Sequence, residues 1–253
     1  MISLYKKEIS IFFSSLIGPL IIGLFLLINS LILWTSFYDV NIAGNLPSNP
    51  FSILENNYAS LDSFFIISPI IFLLFIPAVS MRTFSEEYKT GTIEILKTKP
   101  IAIQQIVFAK FLAILTLVAL SLTPTLLYPT TIYFFGETIG NLDLAGIAGS
   151  YIGLFMLSSI FTSISVFASS LTNNQIIAFI LGIILSIFFY FGFDLLSKMS
   201  ILQPIDLILQ KTGIVYHYNI MSKGLLQISD IAYFISITFL FLKFSEITIK
   251  NKK

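Results

Sequence analysis

The sequence predicts an all-α, polytopic membrane protein with six transmembrane helices and an N-terminal helix in the membrane interface. Three observations predict it. Of 253 residues, 56% are hydrophobic and only 11% charged, with a mean hydropathy of +0.93, whereas a soluble domain carries roughly 25% charged residues. So few charges cannot cover an ordinary water-facing surface, and the bilayer is the natural solvent for this composition. Several uncharged stretches are long enough to cross a hydrocarbon core of about 30 Å at about 1.5 Å per residue. Finally, Lys and Arg fall on one side when these stretches are threaded alternately through a bilayer. The net charge of +1 lacks the basic field of a nucleic-acid binder. The absence of Cys excludes disulfides and thiolate metal sites without identifying a compartment.

Residues 1–15 place Ile2, Tyr5, Ile9, Phe12 and Phe13 at helical spacing, with Ser3, Lys6, Lys7, Ser10 and Ser14 largely elsewhere. This is the pattern of a helix lying in the interface with its apolar side toward lipid. Lys6 and Lys7 resemble the basic start of a secretory signal, but the following apolar stretch is long and no small-residue cleavage site closes it, so the segment is expected to be retained. Gly18-Pro19 re-aims the chain into a first span, Pro19–Phe37. Residues 38–60 are rich in Asn, Pro and Ser without Lys or Arg, and read as an outer loop. A second span, Phe64–Met81, carries Pro69 and Pro77 as kinks.

The longest polar interruption follows, Arg82 to Pro100. A third span begins near Ile101 or Val107 and reaches Phe134, with Lys110 expected to snorkel to the inner interface and Pro124 and Pro129 bending it. After the acidic turn GETIGNLD, a fourth span covers Leu144–Leu171. It opens on Ala145, Gly146, Ala148, Gly149, Ser150 and Gly153, a surface that permits close helix contact within one subunit or between two. Thr172-Asn173-Asn174 turns the chain into a fifth span, Ile176–Phe193. Residues 194–229 mix apolar residues with Pro204, Asp206, Lys211, His217 and Lys223, fitting half-inserted helices better than a free loop. The sixth span, Ile231–Leu242, is short unless it begins near Leu225 and takes Asp230 into the interface. A basic tail closes the chain.

With the N-terminus inside, the cytoplasmic side holds Lys6, Lys7, Arg82, Lys89, Lys97, Lys99, Lys110, Lys243, Lys250, Lys252 and Lys253, and the outer side only Lys198, Lys211 and Lys223. Eleven against three is the asymmetry expected of six spans with both termini cytoplasmic.

The chemistry available is limited. Nothing matches G-x-x-x-x-G-K-[ST], so ATP hydrolysis by that route is not expected of this chain. His217 is the only histidine; metal sites in N/O chemistry draw on several imidazoles, and it reads as an outer surface residue. Glu86-Glu87 resembles paired acids of intramembrane proteases, but those sites also draw histidines from membrane depth. A plainer reading is a solvated face with Arg82–Glu86 and Glu94–Lys97 pairs at helical spacing. The stretch reads best as a docking element for a cytoplasmic protein. TFSEEYK forms two helical turns with Phe84 and Tyr88 on one face and Glu86, Glu87 and Lys89 facing out. Gly91 permits a sharp change of direction, TIEILK forms a second short helix, and Pro100 ends it.

On Arg82, Glu86, Glu87, Gly91-Thr92, Glu94 and Pro100-Ile101, the sequence resembles the permease subunit of an ABC-2 type ATP-binding-cassette exporter, most closely that of gliding-motility transporters of Bacteroidetes-type bacteria. The motif covers about twenty residues; Lys97 departs from it, standing where an apolar residue is common. The six-span layout extends the resemblance over most of the chain.

The resemblance implies one transmembrane domain over residues 1–253, with an interfacial helix at 1–15, a cytoplasmic coupling region at 82–100 and an outer half-inserted gate segment at 194–229. It implies coupling to an ABC ATPase subunit through Arg82, Phe84, Glu86, Glu87, Tyr88, Gly91, Thr92 and Glu94. ATP and Mg would be held by that partner and no cofactor by this chain. A second permease subunit, identical or related, is implied, in a bacterial inner membrane, with room for an accessory extracytoplasmic protein. On this reading Glu87→Arg or Gly91→Pro uncouples ATPase activity from transport while leaving insertion intact. The rival functions are a non-transporting membrane anchor for a cytoplasmic complex and an intramembrane hydrolase.

Overall fold

Uncharged runs of Ile, Leu and Phe can satisfy their peptide groups in lipid only by coiling into helices. In the computed structural model every regular element among the described residues is indeed helical. The structure describes residues 1–35, 61–98, 100–135, 143–199 and 204–252; the expected 38–60 loop and most of the 136–143 turn lie outside them. Five helical segments are long and apolar enough to cross a membrane, and a sixth if the bent N-terminal pair counts as one.

Helix α1 (Ile2–Ser14) leads into α2 (Ile17–Thr35) through a bend of 74°. Gly18 makes that bend possible, because a Cβ there would stand 2.3 Å from the Phe12 carbonyl oxygen. Helix α3 (Leu61–Ser80) takes both prolines inside it. Asn29 of α2 is fully buried; its amide donates to the Phe25 carbonyl at 2.8 Å and accepts from the Ser68 hydroxyl of α3 at 2.8 Å. Such a bond holds two spans together where lipid offers no alternative partner.

After α4 (Arg82–Lys89) and α5 (Thr92–Thr98) comes α6 (Ile103–Leu122). A single turn at Pro124–Leu126 separates it from α7 (Leu127–Phe135). Helix α8 (Leu144–Leu171) is capped by Asp143, which accepts from the Gly146 amide at 3.0 Å. Helix α9 (Gln175–Ser197) is capped by Asn174, which accepts from the Ile176 amide at 2.9 Å. Two short helices, α10 (Asp206–Thr212) and α11 (Ile214–Met221), then lead to α12 (Ile228–Asn251).

Helix α8 is the axis of the bundle, packing against α3, α4, α6, α9, α11 and α12. Leu154, Leu157, Ile160, Phe161 and Ile164 are buried along it. Its many hydroxyls are tolerated there because Ser158, Ser163 and Ser170 each donate back to the carbonyl three residues earlier. The small residues that open α8 serve contact within the chain. A Cβ on Gly149 would lie 2.6 Å from the Gly224 carbonyl oxygen, and one on Gly153 2.7 Å from Met221 Cβ. Gly224 itself has φ +80 and closes the turn after α11. Gly149→Val is therefore expected to displace this turn and destabilise the bundle by about 1–3 kcal/mol. Gly23→Val, at a site with nothing within 4 Å, should leave the unfolding midpoint in detergent unchanged.

Two expectations are corrected by the fold. The last helix runs from Ile228 to Asn251: its start agrees with the longer reading that takes in Asp230, and its end lies well past the expected limit at Leu242. It continues through the polar tail because Lys243 pairs with Glu246 at 2.7 Å and Ser245 donates to the Phe241 carbonyl at 2.9 Å. His217 is not a surface residue. Its Nδ1 lies 2.7 Å from Asp230 Oδ1, its Nε2 lies 2.8 Å from the Lys211 carbonyl oxygen, and its ring stacks on Tyr233 at 4.0 Å. A carbonyl can only accept, so Nε2 carries a proton. These bonds, with Tyr233 donating to the Thr212 carbonyl at 2.6 Å, fasten α10 and α11 to the first turn of α12 and bury Asp230.

Candidate functional site

The charged stretch folds as expected into two short helices about a glycine. Gly91 has φ +70, a left-handed conformation that side chains resist; around it the Thr90 and Thr92 hydroxyls lie 3.0 Å apart. Helix α4 nevertheless continues α3 almost without interruption: the Met81 amide still donates to the Pro77 carbonyl at 2.9 Å. The hairpin is thus the end of a span rather than a separate loop.

The residues named from sequence divide into two sets. Glu86, Gly91, Thr92 and Glu94 are exposed at the tip. Phe84 and Glu87 are buried, Tyr88 is half-buried, and Arg82 is half-buried beside a small cavity it shares with Glu8 and Phe12. Among the described residues no Arg82–Glu86 ion pair forms, and the Lys97 side chain lies outside them. Glu87 does not face out. Glu86 and Glu87 point in directions about 100° apart on α4, one exposed and one buried, so they do not converge on a common point. The large apolar side chain at the tip is Ile95, 60% exposed, a residue that sequence reasoning did not single out.

The buried side of α4 is organised by two residues that sequence reasoning missed or misplaced. Lys110 was expected to snorkel; it is instead fully buried. Its ammonium lies 2.8 Å from Glu8 Oε1, 2.9 Å from Glu87 Oε1 and 2.6 Å from the Thr83 carbonyl oxygen, with the Phe84 ring 4.9 Å away. Three donors thus meet three acceptors, and α1, α4 and α6 are joined through one atom. An ion pair removed from water persists only when so satisfied. The second oxygen of Glu87 is buried without a partner. The three acceptors around the ammonium explain the burial of Lys110. A lysine two turns into a span has no route to the headgroups when two carboxylates and a carbonyl already enclose it.

Ser169 is the other residue. Helix α4 has no side-chain cap of its own. The Ser169 hydroxyl of α8 accepts from the Phe84 amide at 3.0 Å and the Ser85 amide at 3.2 Å, and donates to the Met81 carbonyl at 3.1 Å. A serine from a different span therefore performs the capping that normally falls to the preceding residue. At the far end of α4, the Lys252 ammonium sits 3.8 Å over the Tyr88 ring and donates to the Leu171 carbonyl at 3.1 Å. This binds the last turn of α12 to α4 and α8.

The arrangement is mechanical in character: an exposed tip of mixed charge, carried on a base fastened to α1, α6, α8 and α12. No signal in a single sequence pairs Lys110 with Glu8 across 102 positions. A lysine inside an otherwise uncharged span was the one available hint. The burial of Glu87 also changes one expectation. Glu87→Arg would set a second cation against Lys110, so it tests folding rather than docking.

A family model described as ABC-2 family transporter protein matches residues 3–249. No curated protein matches the chain.

Proposed function

This chain belongs to the ABC-2 transporter family, and on that premise we propose that it is an exporter's membrane permease subunit, driven through the α4–α5 tip by a separate ATPase. ATP and Mg are held by that partner, and this chain contributes no hydrolytic chemistry. The observation that carries the reading is the contrast between tip and base. Glu86, Glu94 and Ile95 are open to a partner, while Lys110, Ser169 and Lys252 hold the same hairpin against α1, α6, α8 and α12. Displacement of the tip then moves the bundle instead of flexing a loop. An apolar residue ringed by charge is the composition of an interface hot spot with a selective rim.

Both termini and the hairpin are assigned to the cytoplasmic face of a bacterial inner membrane, on the distribution of Lys and Arg. A second permease subunit, identical or related, completes the path. The resemblance to gliding-motility permeases makes support of surface motility the biological role to examine first, with an extracytoplasmic accessory protein as a further partner.

The test is co-purification in mild detergent with the ATP-binding-cassette protein of the same cell. Ile95→Arg is expected to reduce recovery of the ATPase by about tenfold or more, the loss of one hot-spot residue, without lowering the permease's own unfolding midpoint. Undiminished recovery with Ile95→Arg and Glu94→Arg combined would remove the tip from the interface.

A further inference from the structure

A crevice of about 300 Å³ opens between the start of α6 and the last turns of α12. Phe108 and Phe239 wall it, 43% and 56% exposed, with Leu242 alongside, and Gln104, Lys243 and Glu246 stand at its rim. The order along each helix sets the depth. On α6, Gln104 precedes Phe108 by one turn; on α12, Phe239 precedes Lys243 by one turn in the opposite direction. The polar residues therefore lie at the end of the bundle that carries the hairpin, and the aromatic rings lie deeper. That is the profile of one leaflet, headgroup level above and acyl level below.

We propose that this crevice binds a zwitterionic phospholipid of the phosphatidylethanolamine type. One acyl chain lies along Phe108 and Phe239, the phosphate meets Lys243 and the headgroup ammonium meets Glu246. The charges at the rim select the headgroup. Lys243 Nζ is 2.7 Å from Glu246 Oε2 and 5.5 Å from the centre of the Phe239 ring, which places a cation and a carboxylate side by side at the lip. A phosphate and an ammonium on one headgroup match that pair in sequence. An anionic phosphatidylglycerol would also set its phosphate against Lys243 but would offer Glu246 only hydroxyls in place of an ammonium. A choline headgroup has no N–H to donate to the carboxylate, and tight quaternary ammonium sites need an aromatic cage; the two rings lining the crevice, Phe108 and Phe239, lie below the rim and make no cage around Glu246. The apolar walls supply affinity in any lipid, and the ion pair supplies the choice.

The site can be tested with a tryptophan at position 239. Trp34 is the only tryptophan of the chain, so Phe239→Trp in a Trp34→Phe background gives a single reporter. The variant is reconstituted in phosphatidylcholine vesicles containing an equal small fraction of brominated phosphatidylethanolamine, phosphatidylglycerol or phosphatidylcholine. Quenching by the brominated ethanolamine lipid is expected to exceed the other two by about threefold or more, the part of a charge-assisted hydrogen bond that survives at wet headgroup depth. Glu246→Gln should abolish the preference while leaving quenching by phosphatidylcholine as it was. Equal quenching by all three lipids means ordinary boundary lipid and overturns the proposal. Preference for phosphatidylglycerol overturns it as well. Absence of quenching by any lipid means that protein, such as a second copy of the chain, covers the crevice, and overturns it too. If Phe239→Trp lowers the unfolding midpoint, Phe108→Trp serves as the reporter with the same expected order. None of these readouts involves the ATPase, so the lipid site and the proposed coupling function fail or stand separately.

Discussion

Lys110→Met is expected to destabilise the protein by about 3–5 kcal/mol, the range for breaking a buried ion pair by removing one partner. The shape of the side chain is nearly kept, so the loss is electrostatic. Without the ammonium, the partly exposed Glu8 and the buried Glu87 face one another with no cation between them, and the Thr83 carbonyl loses its donor. The decisive comparison is the triple variant Glu8→Gln, Lys110→Met, Glu87→Gln. Replacing a whole buried ion group by neutral residues of similar volume is often neutral, so the triple variant should regain most of the lost stability. Unfolding midpoints in detergent, followed by fluorescence, measure both. If the single variant is no less stable than the parent, the buried ammonium is not what joins α1, α4 and α6.

Phe84→Ala is expected to cost about 3–5 kcal/mol, as removal of a fully enclosed aromatic side chain does in a close-packed interior. The ring has no accessible surface, so this cost should be the same with and without the ATPase present. Ile95→Ala is the converse. It should change the unfolding midpoint little, because surface substitutions away from packed features stay within about 0.5 kcal/mol, while weakening the association with the partner. A Phe84 variant that unfolds normally but fails to bind would return that ring to the docking face.

The spans were legible because their cause is local: an uncharged run of sufficient length has one stable conformation in lipid. For the same reason Gly91 and Pro100 marked the hairpin, since a left-handed turn and a missing N–H are written in residue type. The candidate site was legible only as a segment. Phe84 and Tyr88 share a face of α4, and periodicity assigns that face to an apolar surface without saying whose. The structure assigns Phe84 to this chain's own core. Glu87 seemed a partner for solvent until a lysine from α6 and a glutamate from α1 closed around it. His217 misled for the same reason. His217 needs Asp230, Lys211 and Tyr233 to be drawn inside, and these residues lie on helices other than its own. Contacts of that kind depend on tertiary arrangement, which no local pattern encodes.

Ser169 bears on how freely such hairpins can be exchanged among related transporters. A segment spanning 82–100 transplanted into a bundle without a hydroxyl at this depth would arrive with the amides of Phe84 and Ser85 facing hydrocarbon, at a cost of about 1–3 kcal/mol for each group left bare. Chimeras that test the proposed coupling role by exchanging this hairpin must therefore carry the end of α8 along with it. On the proposed coupling role, the unit to be inherited together is a pair of segments eighty-odd positions apart.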